Sequence, residues 1–355
     1  VDGLSLPLVL LTSLLFFLSA LYSARIGERA ASYVVLMLML ETASLGTFMA
    51  LDGLLFYVFF EVSLVGMYFM IAGWGYEERQ RAALMFFLYT LLGSLPLLLA
   101  IIGLYLGSGT FDMRVWVEGT ALGGLPAMLA LIAMLVTFAV KIPAFPVHTW
   151  LPAAHVQAPT AGSVILAGVM LKFGTYGLVR FAYQMTPEAF AQAGQVILAF
   201  GVVSALYGAF AALAQSDLKK MIAYTSVNHM GYVVMGVAIA ALATEPRIRT
   251  IALDGATLQM VSHGLVTGAL FLATLNGMPW GLIAILAIVI TAALYLRAIA
   301  GVFLGEMNDK WADMPDLDRR EKLVVLPLLV LTVLIGVAPG WLIDMIHTTM
   351  MGLGN

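Results

Sequence analysis

The chain has 355 residues, of which 62% are hydrophobic and 10% charged, with a net charge of −3 and a mean hydropathy of +1.00. Soluble domains carry about 25% charged and about 45–50% apolar residues, so a soluble globular enzyme is excluded. A nucleic-acid binder is excluded by the missing basic stripe, and disulfides, iron–sulfur clusters and thiolate zinc sites by the absence of cysteine.

The pattern predicts an all-α polytopic membrane protein. A spanning helix needs about 20 mostly apolar residues, and the sequence supplies about eleven such segments: 4–24, 32–51, 53–74, 80–106, 126–156, 160–183, 191–214, 219–242, 252–275, 279–304 and 322–346. The runs are continuously apolar rather than alternating, which selects helices over barrel strands. The first segment has no basic n-region and no small-residue cleavage site, so it does not read as a signal peptide.

Loop charges set the orientation. Arg114, Arg180, Arg247 and Arg249 are assigned to the side of residue 1, and Arg25, Arg29, Arg79, Arg81, Lys219 and Lys220 to the opposite side. The opposite side is thus weakly favoured as cytoplasmic. Lys219 and Lys220 read as topological or interface charges. The acidic stretch 305–322 also carries Lys310, Arg319, Arg320 and Lys322, yet an eleven-helix count leaves it on the disfavoured side.

Several ionisable residues stand where a membrane protein pays most for them. Glu61 falls roughly 12 Å into its helix, Lys172 roughly 18 Å, His229 roughly 15 Å and His263 roughly 16 Å, close to the middle of a hydrocarbon core about 30 Å thick. An ionisable group there marks function by default. Four groups from four helices at one depth form a polar row across the bilayer plane. Glu41, also mid-helix, stands apart and reads as structural or lateral.

Lys141 adds a fifth member. It closes a long apolar run and is followed by Pro143 and Pro146, which cannot continue a helix because each lacks an N–H and clashes with the turn before it. Broken helices inside membranes line protein interiors or wet cavities and are typical of transport pathways. His148 and His155 follow the break, with either a relay or a structural role. Seven residues apart and without a third ligand at suitable spacing, they do not make a metal site.

Buried amines lose basicity and buried carboxyls lose acidity, which brings both toward proton exchange near neutral pH; histidine is already there. A Glu61–Lys141 ion pair would hold Lys141 protonated, and separating it would push a proton toward Lys172 and on through His229 and His263. The blander readings are an inert interhelical hydrogen bond for Glu61, a snorkelling Lys141 and satisfied core histidines. No nucleotide-binding, zinc-protease or serine-hydrolase motif is present in the sequence.

Several stretches resemble the antiporter-like subunits of respiratory complex I: Phe56-Tyr57-Val58-Phe59-Phe60-Glu61, Lys141-Ile142-Pro143, His148-Thr149-Trp150-Leu151-Pro152-Ala153-Ala154-His155, Gln157-Ala158-Pro159-Thr160, Leu171-Lys172, Asp217-Leu218-Lys219-Lys220, Asn228-His229-Met230-Gly231 and His263-Gly264. The contexts of Glu61 and His229 look closest to the subunit M type of NADH–quinone oxidoreductase. The resemblance implies that Glu61 and Lys141 are the input ion pair, that Lys172 is the central lysine, and that His229 and His263 continue a proton relay. It further implies no cofactor in this chain, with flavin and iron–sulfur clusters in partner subunits. The implied partners are other membrane-arm subunits of complex I, neighbouring antiporter-like subunits among them. The implied setting is the bacterial cytoplasmic membrane or an equivalent energy-coupling membrane. Related chains occur in multisubunit sodium/proton antiporters and membrane-bound hydrogenases, which is the alternative reading.

The family has about fourteen helices, partly in two inverted five-helix repeats each with a broken helix. Here residues 1–31 read as a leading helix and loop, 32–183 as a complete first repeat broken at Lys141–Pro146, 184–304 as a second repeat lacking its broken helix, and 305–355 as the acidic loop and C-terminal helix. The missing part would join near 277–278. Restoring one crossing there moves loop 305–321 to the side its basic residues favour. The chain is therefore expected to be incomplete, with either part of its sequence absent or the subunit degenerate.

Overall fold

A computed structural model describes residues 1–118, 122–273 and 319–354. The sequence segment 279–304, the join near 277–278 and nearly all of loop 305–321 lie outside the described residues. Every named element among the described residues is a helix, with one isolated bridge between Asp52 and Asp112.

In chain order the helices are α1 (Ser5–Tyr22), α2 (Ala30–Met49), α3 (Gly53–Trp74), α4 (Arg79–Ser108), the short α5 (Met113–Glu118), α6 (Gly124–Lys141), α7 (Trp150–Gln157), α8 (Thr160–Ile165), α9 (Leu171–Gly177), α10 (Pro187–Leu213), α11 (Leu218–Leu242), α12 (Pro246–Ala273), α13 (Arg319–Val337) and α14 (Gly340–Gly354). Helices α8 and α9 belong to one span, Thr160–Tyr183, together with two π-helical stretches, Leu166–Met170 and Leu178–Tyr183. Among the described residues nine helices are long and apolar enough to cross a membrane, or ten if α13 and α14 form one bent span.

The nine spans fall on nine of the eleven sequence segments. The segment 322–346 is the exception: α13 and α14 meet at 76° rather than forming one straight helix. Pro339 explains the bend, since a proline there can neither continue α13 nor donate an amide to it.

Local chemistry sets the helix ends. The Asp52 carboxylate accepts from Leu55 N–H at 2.8 Å to cap α3, and Asp217 accepts from Lys220 N–H at 2.8 Å to cap α11. Pro187 opens α10, where its missing amide costs nothing. Pro96 lies inside α4, and beside it the Leu97 N–H is bonded to Thr137 Oγ1 of α6 at 3.1 Å, which ties the two helices next to the proline.

The Thr160–Tyr183 span is the buried axis of the molecule, almost every side chain along it being enclosed. Helices α1, α6, α11 and α12 all pack against parts of it. The break after Lys141 is satisfied from within. Phe145 N–H donates to Ser204 Oγ of α10 at 2.9 Å, and the Trp150 indole N–H returns to the Val140 carbonyl at 3.0 Å. Non-helical backbone at membrane depth is tolerated only where protein covers it or a cavity adjoins it.

A buried lysine–histidine row

Lys172 is fully buried at the start of α9, just after the first π turn. Helical side chains lean toward the N-terminus of their helix, and its ammonium reaches back five residues to the Ala167 carbonyl at 2.6 Å. The π turn loosens the backbone ladder there, a distortion that recurs at functional sites. Lys172 Nζ also lies 2.7 Å from His263 Nδ1 of α12.

Glycines permit that contact. Gly168, in the π turn, and Gly264, beside His263, face each other. A Cβ on Gly264 would come within 2.8 Å of the Gly168 carbonyl oxygen, and one on Gly168 within 3.4 Å of the Gly264 carbonyl. The two backbones therefore cross without side chains between them, and His263 is carried to Lys172.

The row continues past His263. The His229 ring of α11 stands 5.6 Å from it, centroid to centroid. His229 Nδ1 lies 3.1 Å from Gln259 Nε2 of α12. Close packing of α10 on α11 holds His229 in place: the Asn228 amide donates to the Ala205 carbonyl at 2.7 Å, and Gly208 packs directly against the Asn228 backbone.

Glu61 and Lys141 form a second group. Lys141 Nζ is buried 4.2 Å above the Phe60 ring, a cation–π contact that gains strength out of water. Neither Lys141 Nζ nor Glu61 Oε1 has a hydrogen-bond partner among the described residues. The two charges act on each other through space, but the expected ion pair is not in contact. The aromatic face takes the ammonium.

The two histidines after the break separate. His148 sits among aromatic rings, 4.8 Å from Tyr207 and 5.8 Å from Tyr224. His155 is fully buried, stacked 4.7 Å from Phe271, and feels the charges of both Lys172 and Lys219. All four of their ring nitrogens are buried without a partner, and no metal-ligating group of three or more is found among the described residues.

Arg180 departs from its expected loop position. It lies within the buried Thr160–Tyr183 span, its side chain 14% exposed, and forms an ion pair with Asp2. Burial pushes the Asp2 carboxyl up, but Arg180 and the Ser5 donors outweigh it and hold that carboxyl below its ordinary value. On the opposite face Lys219 lies 4.3 Å over the Tyr76 ring and reaches the Val156 carbonyl at 3.4 Å.

Two residues of the site were missed from sequence. Gln259 carried a signal, since it stands one turn before His263 and so shares its face. Ser94 of α4, which stands beside Glu61, carried none. Clefts of about 470 and 270 Å³ are present, one lined by Arg25, Trp74 and Tyr76, the other by Asp2, Arg114 and Arg180. Neither is lined by a member of the row.

Such an interior defines a class: a multi-pass integral membrane protein with a broken helix and a lysine–histidine row enclosed among its spans. Residues 50–279 match the family described as NADH:quinone oxidoreductase/Mrp antiporter, TM, and the chain belongs to that family, as an antiporter-like membrane subunit of the subunit M type. It is 36% identical over 416 aligned positions to NADH-quinone oxidoreductase subunit M of Rhodobacter capsulatus, covering 98% of this chain and 80% of the relative. It is 42% identical over 274 positions to NAD(P)H-quinone oxidoreductase chain 4 2 of Thermosynechococcus vestitus, covering 76% of this chain and half of that one. Among solved structures it resembles a chain of respiratory complex I from Thermus thermophilus with bound NADH, at 30% identity and a TM-score of 0.78, over 100% of this chain and 85% of that one. Since 98% of 355 residues is about 348, the 416 positions aligned with the Rhodobacter protein include about 68 that this chain skips.

Proposed function

We propose that this chain is a proton-translocating subunit of an NADH–quinone oxidoreductase, in which Glu61, Lys141, Lys172, His263 and His229 pass protons across the membrane midplane. The carrying observation is the 2.7 Å contact between Lys172 Nζ and His263 Nδ1, with His229 one ring further on. A lysine and an imidazole in such contact can share a proton, and both can release it. The atoms without protein partners, Glu61 Oε1, Lys141 Nζ, the His155 nitrogens and His263 Nε2, extend the line, because buried polar groups of this kind are the ones ordered water serves. His155, which feels the charges of Lys172 and Lys219, fits a role in the relay better than does His148 in its aromatic surroundings.

Redox chemistry in other subunits, with their flavin and iron–sulfur clusters, drives the transfer; this chain holds no cofactor of its own. Its neighbours are other membrane-arm subunits. The positions skipped relative to the Rhodobacter protein support an internal join, which the repeat count puts near 277–278. A second reading is a subunit of a cation/proton antiporter, which the family description also names.

The test is redox-driven proton uptake into sealed vesicles by the assembled complex carrying Lys172→Ala. Uptake falls steeply while the complex still assembles. Normal uptake with normal quinone reduction would reject the relay. Sodium-dependent exchange without NADH oxidation would favour the second reading.

A further inference from the structure

We infer that Gln259 is a positioning residue of the row: its side-chain amide caps Nδ1 of His229 and leaves Nε2 as the ring atom at which that histidine takes up and releases protons. The inference rests on the proposed proton path. Gln259 and His263 lie four residues apart on α12 and share a face. That face presents an amide to Nδ1 of His229 at 3.1 Å and an imidazole 5.6 Å from its ring.

The hydrogen-bond inventory gives the amide its role. As an ammonium, Lys172 donates to His263 Nδ1, so the neutral His263 ring carries its hydrogen on Nε2. When Lys172 passes a proton to Nδ1, an N–H bond forms there and the one on Nε2 breaks, and His263 is neutral before and after. His229 can take that proton only on a nitrogen with a free lone pair. With the carbonyl end of the Gln259 amide toward Nδ1–H, Nε2 is that nitrogen. The loaded imidazolium still donates Nδ1–H to the same carbonyl, and loss of the Nε2 proton restores the starting ring. With the nitrogen end toward Nδ1, Nε2 holds the hydrogen and the ring refuses the proton. The 3.1 Å contact has the nitrogen end toward Nδ1; the two ends of an amide have nearly the same shape, and a half-turn that brings the carbonyl there gives the receptive ring.

Few other charges compete. Among the described residues the titratable groups around His229 are His263 of α12, Lys172 of α9 and Tyr232 on its own helix, with ring centroids 6.2 Å apart for the last. Gln259 is the side chain on Nδ1.

The test uses Gln259→Met and Gln259→Glu in the assembled complex, with Lys172→Ala beside them and proton uptake followed against pH. Methionine keeps the length and removes the cap, so uptake falls several-fold. Glutamate keeps the shape but holds the ring as imidazolium, so uptake is lost near neutral pH and its profile moves alkaline by about one unit or more. A merely structural Gln259 would leave the shape of the pH profile unchanged in both variants, and that result overturns the inference. Should Lys172→Ala abolish uptake while both Gln259 variants keep the wild-type profile, the relay stands and the Gln259 role falls. Should Lys172→Ala pump normally, the relay itself falls.

Discussion

Gly264→Ala tests whether the crossing of α12 over the π turn sets the working contact of the row. An added Cβ would lie 2.8 Å from the Gly168 carbonyl oxygen and 2.5 Å from Leu11 Cδ2. Leu11 can swing aside, but a backbone carbonyl cannot. Restoring an ordinary contact of about 3.5 Å requires α12 to retreat by roughly 0.5–0.7 Å. The same movement stretches the 2.7 Å Lys172–His263 bond beyond about 3.2 Å, the outer edge of a good hydrogen bond. Overpacking of this kind costs about 1–3 kcal/mol. Because a misplacement of about 1 Å can cost 100-fold in rate, a fall of about ten-fold in coupled proton uptake is expected. Gly268→Ala is the control. It lies one turn further along α12, and its Cβ would meet only side-chain atoms of Leu15 and Val164, at 3.0 Å and beyond. The assay is redox-driven proton uptake in vesicles, normalised to assembled complex. Equal uptake in the two variants would refute the reasoning.

Three further outcomes follow. Glu61→Gln removes the charge that acts on Lys141 while keeping the shape, so coupled turnover drops strongly; unchanged turnover would show that Lys141 needs only the Phe60 face. Lys172→Arg fails to restore proton uptake, because a guanidinium does not release its proton, and recovery above a small fraction of wild type would contradict this. Asp2 is held below its ordinary carboxyl value, so its pairing with Arg180 is present above about pH 3.9, the unfolded value, and is lost as pH falls through the lower folded value. The partly exposed pair adds about 1 kcal/mol or less after screening. Thermal melts of Asp2→Asn should therefore lie slightly below wild type from pH 5 to 8 and converge with it at strongly acidic pH; a gap that opens only on acidification would reverse the sign and refute the assignment.

The sequence made the spans legible because apolar runs of this length have one outcome in a bilayer. It also made the break after Lys141 legible, since two prolines admit no helix. Depth along the helices brought Lys172, His229 and His263 to one level, and the structure brings them into one row. Depth says nothing of azimuth, however. Hence the sequence paired Glu61 with Lys141 but did not show that the ammonium lies over Phe60. Arg180 read as a loop charge because a segment end cannot show that Asp2, just ahead of α1, waits beside it. The π turns around Lys172 have no signature in hydropathy, and the Gly168–Gly264 crossing depends on two segments nearly a hundred residues apart. The angle between α13 and α14 was legible in Pro339 but was passed over inside a continuous apolar run.

The central claim is that protons pass through Lys172. Its most direct test is the number of protons translocated per electron by the complex with Lys172→Met, which keeps the buried volume and removes the exchangeable proton. The account predicts that the ratio falls, or that turnover stops, in a complex that assembles fully. A wild-type ratio at wild-type turnover would contradict it.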